Sequence, residues 1–136
     1  MTDIVTPEQR SRMMAQIRGR DTQGELLVRR YLHRAGLRFR VNDRRLPGRP
    51  DLVVPRYQAA VFVHGCFWHR HEGCRFTTNP ATRVDFWQAK FAANVARDRA
   101  TDAKLCRLGW RPLVIWECEV EDMDRLDLLF WEIVAV

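Results

Sequence analysis

The sequence predicts an α/β fold in which one mixed sheet is flanked by helices. Its 136 residues, 46% of them hydrophobic, can bury one core but not two. No repeat, low-complexity tract or Gly- and Ser-rich linker divides the chain. The periodic segments follow the order helix, helix, strands, helix, strand, helix, which favours a mixed sheet with helices packed on it. We therefore expect one continuous domain.

Two capping boxes predict the first two helices. Residues 6–9 (TPEQ) combine a box with Pro at the first helical position, so a short basic helix should run to about Ile17. Residues 22–25 (TQGE) form the second box, and the helix that follows should end at Gly36. The apolar residues of this second helix share one face, which we expect to pack on the core: Leu27, Val28, Tyr31, Leu32 and Ala35.

The middle of the chain has the pattern of strands. Residues 37–41 alternate apolar residues with arginines, which predicts a strand with one solvated face, and residues 42–43 can turn the chain after it. The segment LPGRP at residues 46–50 favours an extended path, so a strand should begin at Asp51. Residues 59–63 are all apolar and predict a strand that is buried on both faces.

The second half of the chain alternates irregular, helical and strand patterns. Residues 64–81 contain too many Gly, Cys, His and Pro residues for regular structure. A long helix should cover residues 82–108 and stop at Gly109, before a buried strand at residues 113–116 and a last helix at residues 123–134. We interpret four large aromatic side chains as core residues: Phe62, Trp110, Trp116 and Trp131.

The charge is distributed unevenly along the chain. Residues 117–136 contain seven acidic residues and one Arg. The whole chain has a net charge of +6, so residues 1–116 alone carry +12. Such a surplus favours a polyanionic partner, because neutralised phosphates release counterions, although a merely soluble basic surface has the same composition. No apolar run reaches membrane-spanning length and the N-terminal residues lack a secretory signal. We expect an intracellular, reducing location, where four cysteines suggest a metal or free thiols.

Four potential ligands could close around one zinc ion. Three lie within nine residues on one loop and the fourth follows a predicted strand: Cys66, His71, Cys74 and Cys118. Four protein ligands leave no position for water, so the ion would be structural and would hold the loop against the sheet. His64 and His69 are alternative ligands, and Cys106 fits an ordinary thiol on the long helix. The spacing is also compatible with scattered buried thiols and a His71 on the surface.

A carboxylate and an imidazole suggest phosphodiester cleavage. Asp51 begins a strand near the histidine-rich loop, where it could hold Mg²⁺, although an acid at a strand start is also a common turn or cap residue. His69 suits a general base, because an imidazole exchanges its proton near neutral pH when a second group fixes its tautomer. Asp98 is a candidate for that group and equally fits a solvated position on a helix. Glu25 is a further candidate, and its capping role alone would explain it.

Several short stretches of the sequence form a recognisable pattern. They are PGRPD at residues 47–51, HGCFWH at residues 64–69 with His71 and Cys74 after it, and WEC at residues 116–118. Over about residues 7–119, including residues 18–22 and 94–99, the chain resembles the very short patch repair (Vsr) DNA mismatch endonucleases.

The resemblance implies a restriction-endonuclease-like fold, a PD-(D/E)XK variant with a mixed central sheet, flanking helices and a structural zinc site. In this fold Asp51 and the backbone carbonyl of Val63 would hold the catalytic Mg²⁺. The common PD-(D/E)XK pattern would place an acid and a lysine at residues 61–63, and this sequence has neither. The departure argues against a generic nuclease of this fold, whereas in the Vsr family His69 takes the role of the base.

The resemblance also implies roles for other residues. Asp98 would orient His69, while Glu25 and His64 would support the waters of the magnesium ion or the phosphate. The zinc ligands would be Cys66, His71, Cys74 and Cys118. An aromatic wedge beside the mismatch would consist of Phe67, Trp68 and Trp87. Unstacking costs least at a mispair, so such a wedge can sense the defect. Met14 would contact the opposite groove, and its helical spacing also fits a core residue.

The implied function is Mg²⁺-dependent, strand-specific nicking 5′ of the thymine in a T·G mismatch that arises from 5-methylcytosine deamination. Residues 1–20 would form a DNA-contacting helix or arm and residues 21–136 a single endonuclease domain. We expect a cytoplasmic, nucleoid-associated monomer that acts on double-stranded DNA, with mismatch-repair proteins as candidate partners and no membrane contact. Two alternatives remain: an endonuclease that cuts matched or modified DNA, and a non-catalytic, zinc-supported DNA-binding module.

Overall fold

The computed structural model describes residues 22–135, so the predicted first helix and Met14 lie outside the described residues. Within this part of the chain a four-stranded mixed sheet has the order β1-β2-β3-β4. The strands are β1 (Arg40–Val41), β2 (Leu52–Val54), β3 (Ala59–His64) and β4 (Arg111–Trp116). Strand β2 pairs antiparallel with both β1 and β3, whereas β3 and β4 are parallel. Three helices accompany them: α1 (Gln23–Arg34), α2 (Val84–Arg107) and α3 (Met123–Val134).

Helix α1 begins at the predicted capping box. The Thr22 hydroxyl oxygen accepts a hydrogen bond from the Glu25 backbone N–H at 3.2 Å, and the Glu25 carboxylate accepts one from the Thr22 N–H at 3.1 Å. Gly36 follows the helix at φ +91°, as a glycine at a helix C-terminus does. Val28 and Leu32 are fully buried and confirm the predicted apolar face, but Ala35 at its end is exposed.

The sheet separates two apolar clusters because alternate side chains of a strand point to opposite faces. Val61 and Ile115 face α1 and α3, whereas Val53, Ala60 and Phe62 pack with Leu105 of α2. Each fully buried aliphatic side chain of this kind contributes about 1.5–3 kcal/mol of burial free energy. The architecture is therefore a sheet between helices, as predicted. None of the helices within residues 22–135 has the length and apolar character that would allow it to cross a membrane.

Several element boundaries differ from the prediction for local reasons. Only Arg40–Val41 pair as a strand, because the Leu37 N–H donates to the Leu32 carbonyl at 3.1 Å and residues 37–39 serve the exit from α1. Helix α2 starts at Val84 rather than 82, after Arg83 at φ +52°. Strand β4 starts two residues earlier than predicted, since the Arg111 N–H donates to the Gln58 carbonyl at 2.8 Å.

The burial of the last strand and helix also differs in part from the prediction. In β4 only Ile115 is fully buried, and the other residues are half-buried. Phe62 is buried as expected, but the expectation that Trp131 is a core residue is wrong, since its side chain is 64% exposed. The core face of α3 contains Leu126, Leu129 and Ile133, and a residue two positions after Leu129 points away from that face.

Candidate active site and metal centre

Strand ends bring Asp51 into the wall of a cleft. Leu52 pairs with Val61 in the antiparallel β2–β3 ladder, so the residue before β2 lies beside the end of β3. There the Val63 backbone N–H donates to Asp51 Oδ2 at 2.6 Å. The cleft at this edge has a volume of about 470 Å³. Asp51 therefore combines a fixed backbone contact with access to a space large enough for a ligand.

Asp51 and Glu25 form a carboxyl pair at the base of the cleft. Burial, followed by a hydrogen bond with Glu25, raises the pKa of Asp51 to about 8, while the Val63 N–H and the charge of Arg29 act in the opposite direction. Glu25 is only 5% exposed and lies 3.6 Å from the Arg29 guanidinium. Two adjacent carboxyl groups that retain a proton at neutral pH suit a divalent cation, whose charge can replace that proton. The donor set therefore fits a hard metal ion.

The His69 ring forms a hydrogen bond with Asp98, the residue expected to orient it. The two side chains are 29 residues apart, and His69 Nδ1 lies 2.7 Å from Asp98 Oδ2. With Nδ1–H donating to the carboxylate, Nε2 keeps the lone pair that can accept a proton. The His69 backbone N–H also donates to the Gly65 carbonyl at 3.1 Å, which fixes the turn that carries the ring.

His64 connects the Asp51 side of the cleft with the His69 side. It follows Val63 in β3, and its ring stacks on the His69 ring at a centroid distance of 3.9 Å and an interplanar angle of 5°. Burial, followed by the nearby His69, lowers the pKa of His64 to about 4, so this ring is neutral at neutral pH. A neutral stacked imidazole holds His69 in place without adding charge. Together these contacts place Asp51 and His69 in the same cleft, on one side of the sheet.

The structure also shows cleft residues that sequence reasoning left without a role. Lys90, Asn94 and Thr101 line the cleft from α2, together with Asp98. The Asn94 side-chain amide donates to the Trp68 carbonyl at 3.0 Å. Their spacing of three or four residues puts them on one face of a helix, and this was the available signal. Two further cleft residues stand in motifs that carry the family resemblance, which gave neither of them a role: Arg49 and Glu117.

A close approach of two segments shapes the cleft. Gly48 has φ +75°, and a Cβ atom there would lie 2.3 Å from Cγ2 of Thr101 on α2. Only glycine lets the loop before β2 contact the helix at this point. The loop that leads to Asp51 and the helix that carries Asp98 are thereby held against each other.

The second cluster consists of the four residues expected as zinc ligands. One ligand atom from each of Cys66, His71, Cys74 and Cys118 lies within 4.8 Å of the other three. A tetrahedral zinc site with thiolate bonds of about 2.3 Å needs sulfur atoms about 3.8 Å apart, so small shifts would complete it. His64 and His69 group instead with Asp98. The four-residue cluster can therefore hold a metal ion without using the cleft histidines.

The surrounding contacts prepare this cluster for a cation. Desolvation, followed by hydrogen bonds with the Cys66 and Cys74 thiols, raises the pKa of Cys118 to about 12. Three thiols this close together bind a metal as thiolates more readily than they ionise beside one another. The Thr77 hydroxyl donates to the His71 carbonyl at 2.6 Å and fastens the far end of the loop.

A series of rings joins the metal cluster to the cleft. The His71 ring stacks on Trp116 at 4.2 Å and 6°, and Trp116 meets His64 edge to face at 5.3 Å. His64 in turn stacks on His69. The position of the catalytic candidate His69 therefore depends on contacts that begin at a ligand of the metal cluster.

The aromatic residues expected as a wedge lie together, and Trp68 among them lines the cleft. Phe67 contacts Trp68 and Trp87 at centroid distances of 5.1 and 5.8 Å, and Trp68 lies 6.0 Å from Trp87. Beneath them Phe91 of α2 is only 4% exposed and meets Phe67 at 5.2 Å and 89°. We call Phe67, Trp68 and Trp87 the aromatic wedge. All three are half-buried, which leaves part of each ring accessible.

The sequence model of the family described as DNA mismatch endonuclease Vsr matches residues 2–75. A DNA mismatch endonuclease Vsr from Escherichia coli K12 is 45% identical over 126 residues, which cover 93% of this chain and 80% of the relative. The chain belongs to the Vsr family of DNA mismatch endonucleases. A type II nicking enzyme of Xanthomonas oryzae, V.XorIIP, is 46% identical over 127 residues, 93% of each chain. One from Neisseria meningitidis, V.NmeAIP, is 40% identical over 137 residues, 98% of this chain and 97% of the relative.

Membership of the Vsr family makes the protein a DNA endonuclease and excludes the alternative of a non-catalytic DNA-binding module. The family also implies a restriction-endonuclease-like fold for the sheet and a divalent metal ion for its chemistry. The roles of the individual cleft, metal-cluster and wedge residues stay predictions, as does the contact of Met14 with DNA.

Proposed function

We propose that this endonuclease nicks one strand of duplex DNA on the 5′ side of the thymine in a T·G mismatch, the product of 5-methylcytosine deamination. The observation that carries the proposal is that Asp51 and the His69–Asp98 pair share one cleft, with Trp68 of the aromatic wedge in its wall. A mismatch could thus be held open beside the groups that cut the backbone. The E. coli relative, named a DNA mismatch endonuclease, supports the same substrate.

Mg²⁺ would be held by the Asp51 carboxylate and the Val63 carbonyl oxygen. The N–H and C=O groups of one residue in an extended strand point to the same side, and the Val63 N–H already points at Asp51. When bound there, the ion would neutralise charge that develops on the scissile phosphate. The valine side chain is no obstacle, because the ligand is a backbone oxygen.

His69 would remove the proton from the attacking water. Asp98 would keep Nδ1 protonated, so that Nε2 is left as the acceptor, and it would stabilise the imidazolium that forms. Glu25 and neutral His64 would support the waters or the phosphate around the metal, Glu25 from a position fixed by the Thr22 N–H. The folded chain would thus hold each of these side chains in position before the DNA binds.

Zinc would occupy the cluster of Cys66, His71, Cys74 and Cys118 as a structural ion. Soft thiolates with one imidazole are the ligand set that zinc prefers. The loop at residues 65–83 has no helix or strand of its own, and the ion would hold it against β4. Through the rings of Trp116 and His64, it would also fix His69.

The aromatic wedge would insert beside the mismatch, with Met14 in the opposite groove. The exposed parts of the rings would replace base stacking that a T·G pair gives up at low cost. We further propose that residues 1–20 act as a DNA-contacting arm, and that the protein works as a cytoplasmic, nucleoid-associated monomer to which mismatch-repair proteins add recruitment.

A strand-resolved cleavage assay tests the proposal. Duplexes of one flanking sequence would carry a T·G mismatch, the matched pair or 5-methylcytosine, with each strand labelled at its end. We expect one nick, 5′ of the mismatched thymine, which disappears with Asp51→Ala and with His69→Ala while both variants still bind the duplex. Equal cutting of matched or methylated DNA would favour a restriction-like enzyme, and undiminished nicking by either variant would remove the mechanism.

A further inference from the structure

Arg70 occupies an unusual place in the loop between the two sites. It stands between His69 of the cleft and His71 of the metal cluster, yet it lines neither the cleft nor the cluster. Its backbone has φ +56°, in the left-handed region that an arginine seldom adopts. Gly73, three residues later, meets the same backbone demand without a side chain. Arginine therefore stands at a position where the backbone of glycine would be less strained.

The guanidinium group of Arg70 binds both ends of the loop. Nη1 donates to the Thr78 carbonyl at 2.9 Å and to the Phe67 carbonyl at 3.4 Å, while Nη2 donates to Asn79 Oδ1 at 2.6 Å. These bonds use the planar fork of the guanidinium, which a lysine ammonium does not offer. The first residue of the wedge is thus tied to residues 78–79.

The same group packs on the aromatic rings below the wedge. Its central carbon lies 3.9 Å from the centroid of Phe91 and 5.6 Å from that of Phe67. Phe91 is a buried residue of α2, so this contact joins the loop to the helix that carries Trp87 and Asp98. Cation–π attraction therefore adds to the hydrogen bonds that the guanidinium donates.

Two other arginines provide a contrast. Arg75 lies over Phe76 and Arg83 over Phe86, at 4.7 and 4.3 Å. Both phenylalanines are about half exposed, 51% and 45%, and neither ring belongs to the wedge, although Phe86 contacts Trp87 at 5.4 Å. Arg70 differs because its contacts reach a wedge residue and a buried helix residue at once.

We propose that Arg70 is the positioning residue of the aromatic wedge. It fixes Phe67 and Trp68 over α2, so that the wedge enters the base stack at a set distance from His69. This inference rests on the proposed function, since it presumes a wedge that inserts into DNA. Arg70 touches neither the phosphate nor the metal ions in this scheme, and its effect passes through Phe67 and Phe91.

The test compares Arg70→Met with Arg75→Met, which loses the same charge over an exposed ring outside the wedge. Each variant is checked for metal content and thermal unfolding, and then for single-turnover nicking of a T·G duplex at saturating protein. Insertion is followed separately by 2-aminopurine fluorescence beside the mismatch, in an Asp51→Ala background that prevents cleavage. Arg70→Lys restores the charge without the fork, and Asn79→Ala removes one acceptor without altering the charge.

We expect Arg70→Met to lower the saturated nicking rate about tenfold or more, since misplacement by about 1 Å can cost that much, and to reduce the fluorescence rise. Duplex affinity should change no more than in Arg75→Met. Arg70→Lys should recover affinity but not rate, and Asn79→Ala should show a smaller loss of the same kind.

Control-like nicking and fluorescence in Arg70→Met would overturn the proposal. So would a loss of bound metal or folding in Arg70→Met together with unchanged rates in Arg70→Lys and Asn79→Ala, because Arg70 would then only support the loop. A failure of the proposed function looks different, since the unmodified protein itself would then neither nick the T·G duplex nor raise the fluorescence.

Discussion

The cleft and the loop at residues 65–83 obtain their shape from different sources. Asp51 and His64 are placed by strand pairing in the sheet, and Asp98 by a helix of 24 residues. The loop has no regular structure, and contacts among its own side chains and four potential metal ligands hold it. A substitution at the metal cluster should therefore cost more folding stability than one at a catalytic candidate of the cleft, whereas both should affect chemistry.

Removal of the metal ion proposed for the loop should give the largest effect. A strong chelator, or Cys118→Ser, should lower the free energy of unfolding by several kcal/mol and abolish nicking, because structural zinc sites contribute binding energy directly to folding. Thermal unfolding and metal analysis would measure this. Cys106→Ser, at an exposed cysteine outside the cluster, is the control and should change neither. If the metal-free protein kept its thermal stability, the metal cluster would not be needed to fold the loop.

Asp98→Asn should instead reduce chemistry without reducing stability. An asparagine cannot hold the Nδ1–H tautomer of His69 as a carboxylate does, and loss of such an orienting partner costs about 10–100-fold in activity. Single-turnover nicking and thermal unfolding measured together would show it. Asp102→Asn, one turn further along α2 and also in the cleft wall, should stay within about threefold. If both variants lost activity equally, the cleft would depend on charge rather than on the specific pair.

The two regions also differ in how well the sequence predicted them. The capping box at Thr22–Glu25, strand β3 and helix α3 were predicted because local signals and burial agree there. The grouping of Asp51, His69 and Asp98 was a hypothesis from residue types and predicted elements, and the family resemblance added their roles. The positions of Lys90 and Asn94 in the cleft were missed, because helix spacing shows a shared face but not what that face meets.

The strand predicted at residues 37–41 shows the limit of periodicity. Alternation was present in the sequence, but the last turn of α1 takes up the Leu37 N–H, and only Arg40–Val41 pair. Arg111 likewise gave no signal in advance. Its guanidinium donates to the Tyr57, Glu132 and Ile133 carbonyls and so joins β4 to the end of α3, a role defined only by tertiary packing.

The carboxyl pair of the cleft predicts that the free energy of unfolding depends on pH. In the folded protein without Mg²⁺ the Asp51 pKa is about 8, above the 3.8 of an ordinary aspartate. The unfolded chain therefore loses its proton first, and stability falls as pH rises from about 4 to 8. Relative to Asp51→Asn, the original protein should lose about 2 kcal/mol of unfolding free energy between pH 6 and pH 8, and Mg²⁺ should restore part of it.

Urea unfolding of the two proteins in zinc-containing, magnesium-free buffer at both pH values would measure this difference. If the unfolding free energy of Asp51→Asn and of the original protein changed equally between the two pH values, the carboxyl pair would keep no proton at neutral pH.

The smallest effect compares two helix caps. Thr22→Ala at α1 and Asp122→Ala at α3 should each cost about 1 kcal/mol, because each removes hydrogen bonds to helical N–H groups. Only Thr22→Ala should also slow nicking, by a few-fold, since it loosens the turn that holds Glu25 in the cleft. Chemical denaturation and single-turnover rates would separate the two effects. Equal nicking rates in Thr22→Ala and Asp122→Ala would show that the position of Glu25 does not affect the reaction.

The parallel pairing of β3 with β4 has a consequence for errors in folding. His64 lies level with Trp116, and Cys66 and Cys118 each follow two residues later. A slip of one residue between these strands would turn every side chain to the wrong face and would part the two cysteines as well as the catalytic neighbours. Misaligned molecules would thus fail to capture zinc and fail to cut, so a metal-loaded molecule would already carry the correct alignment.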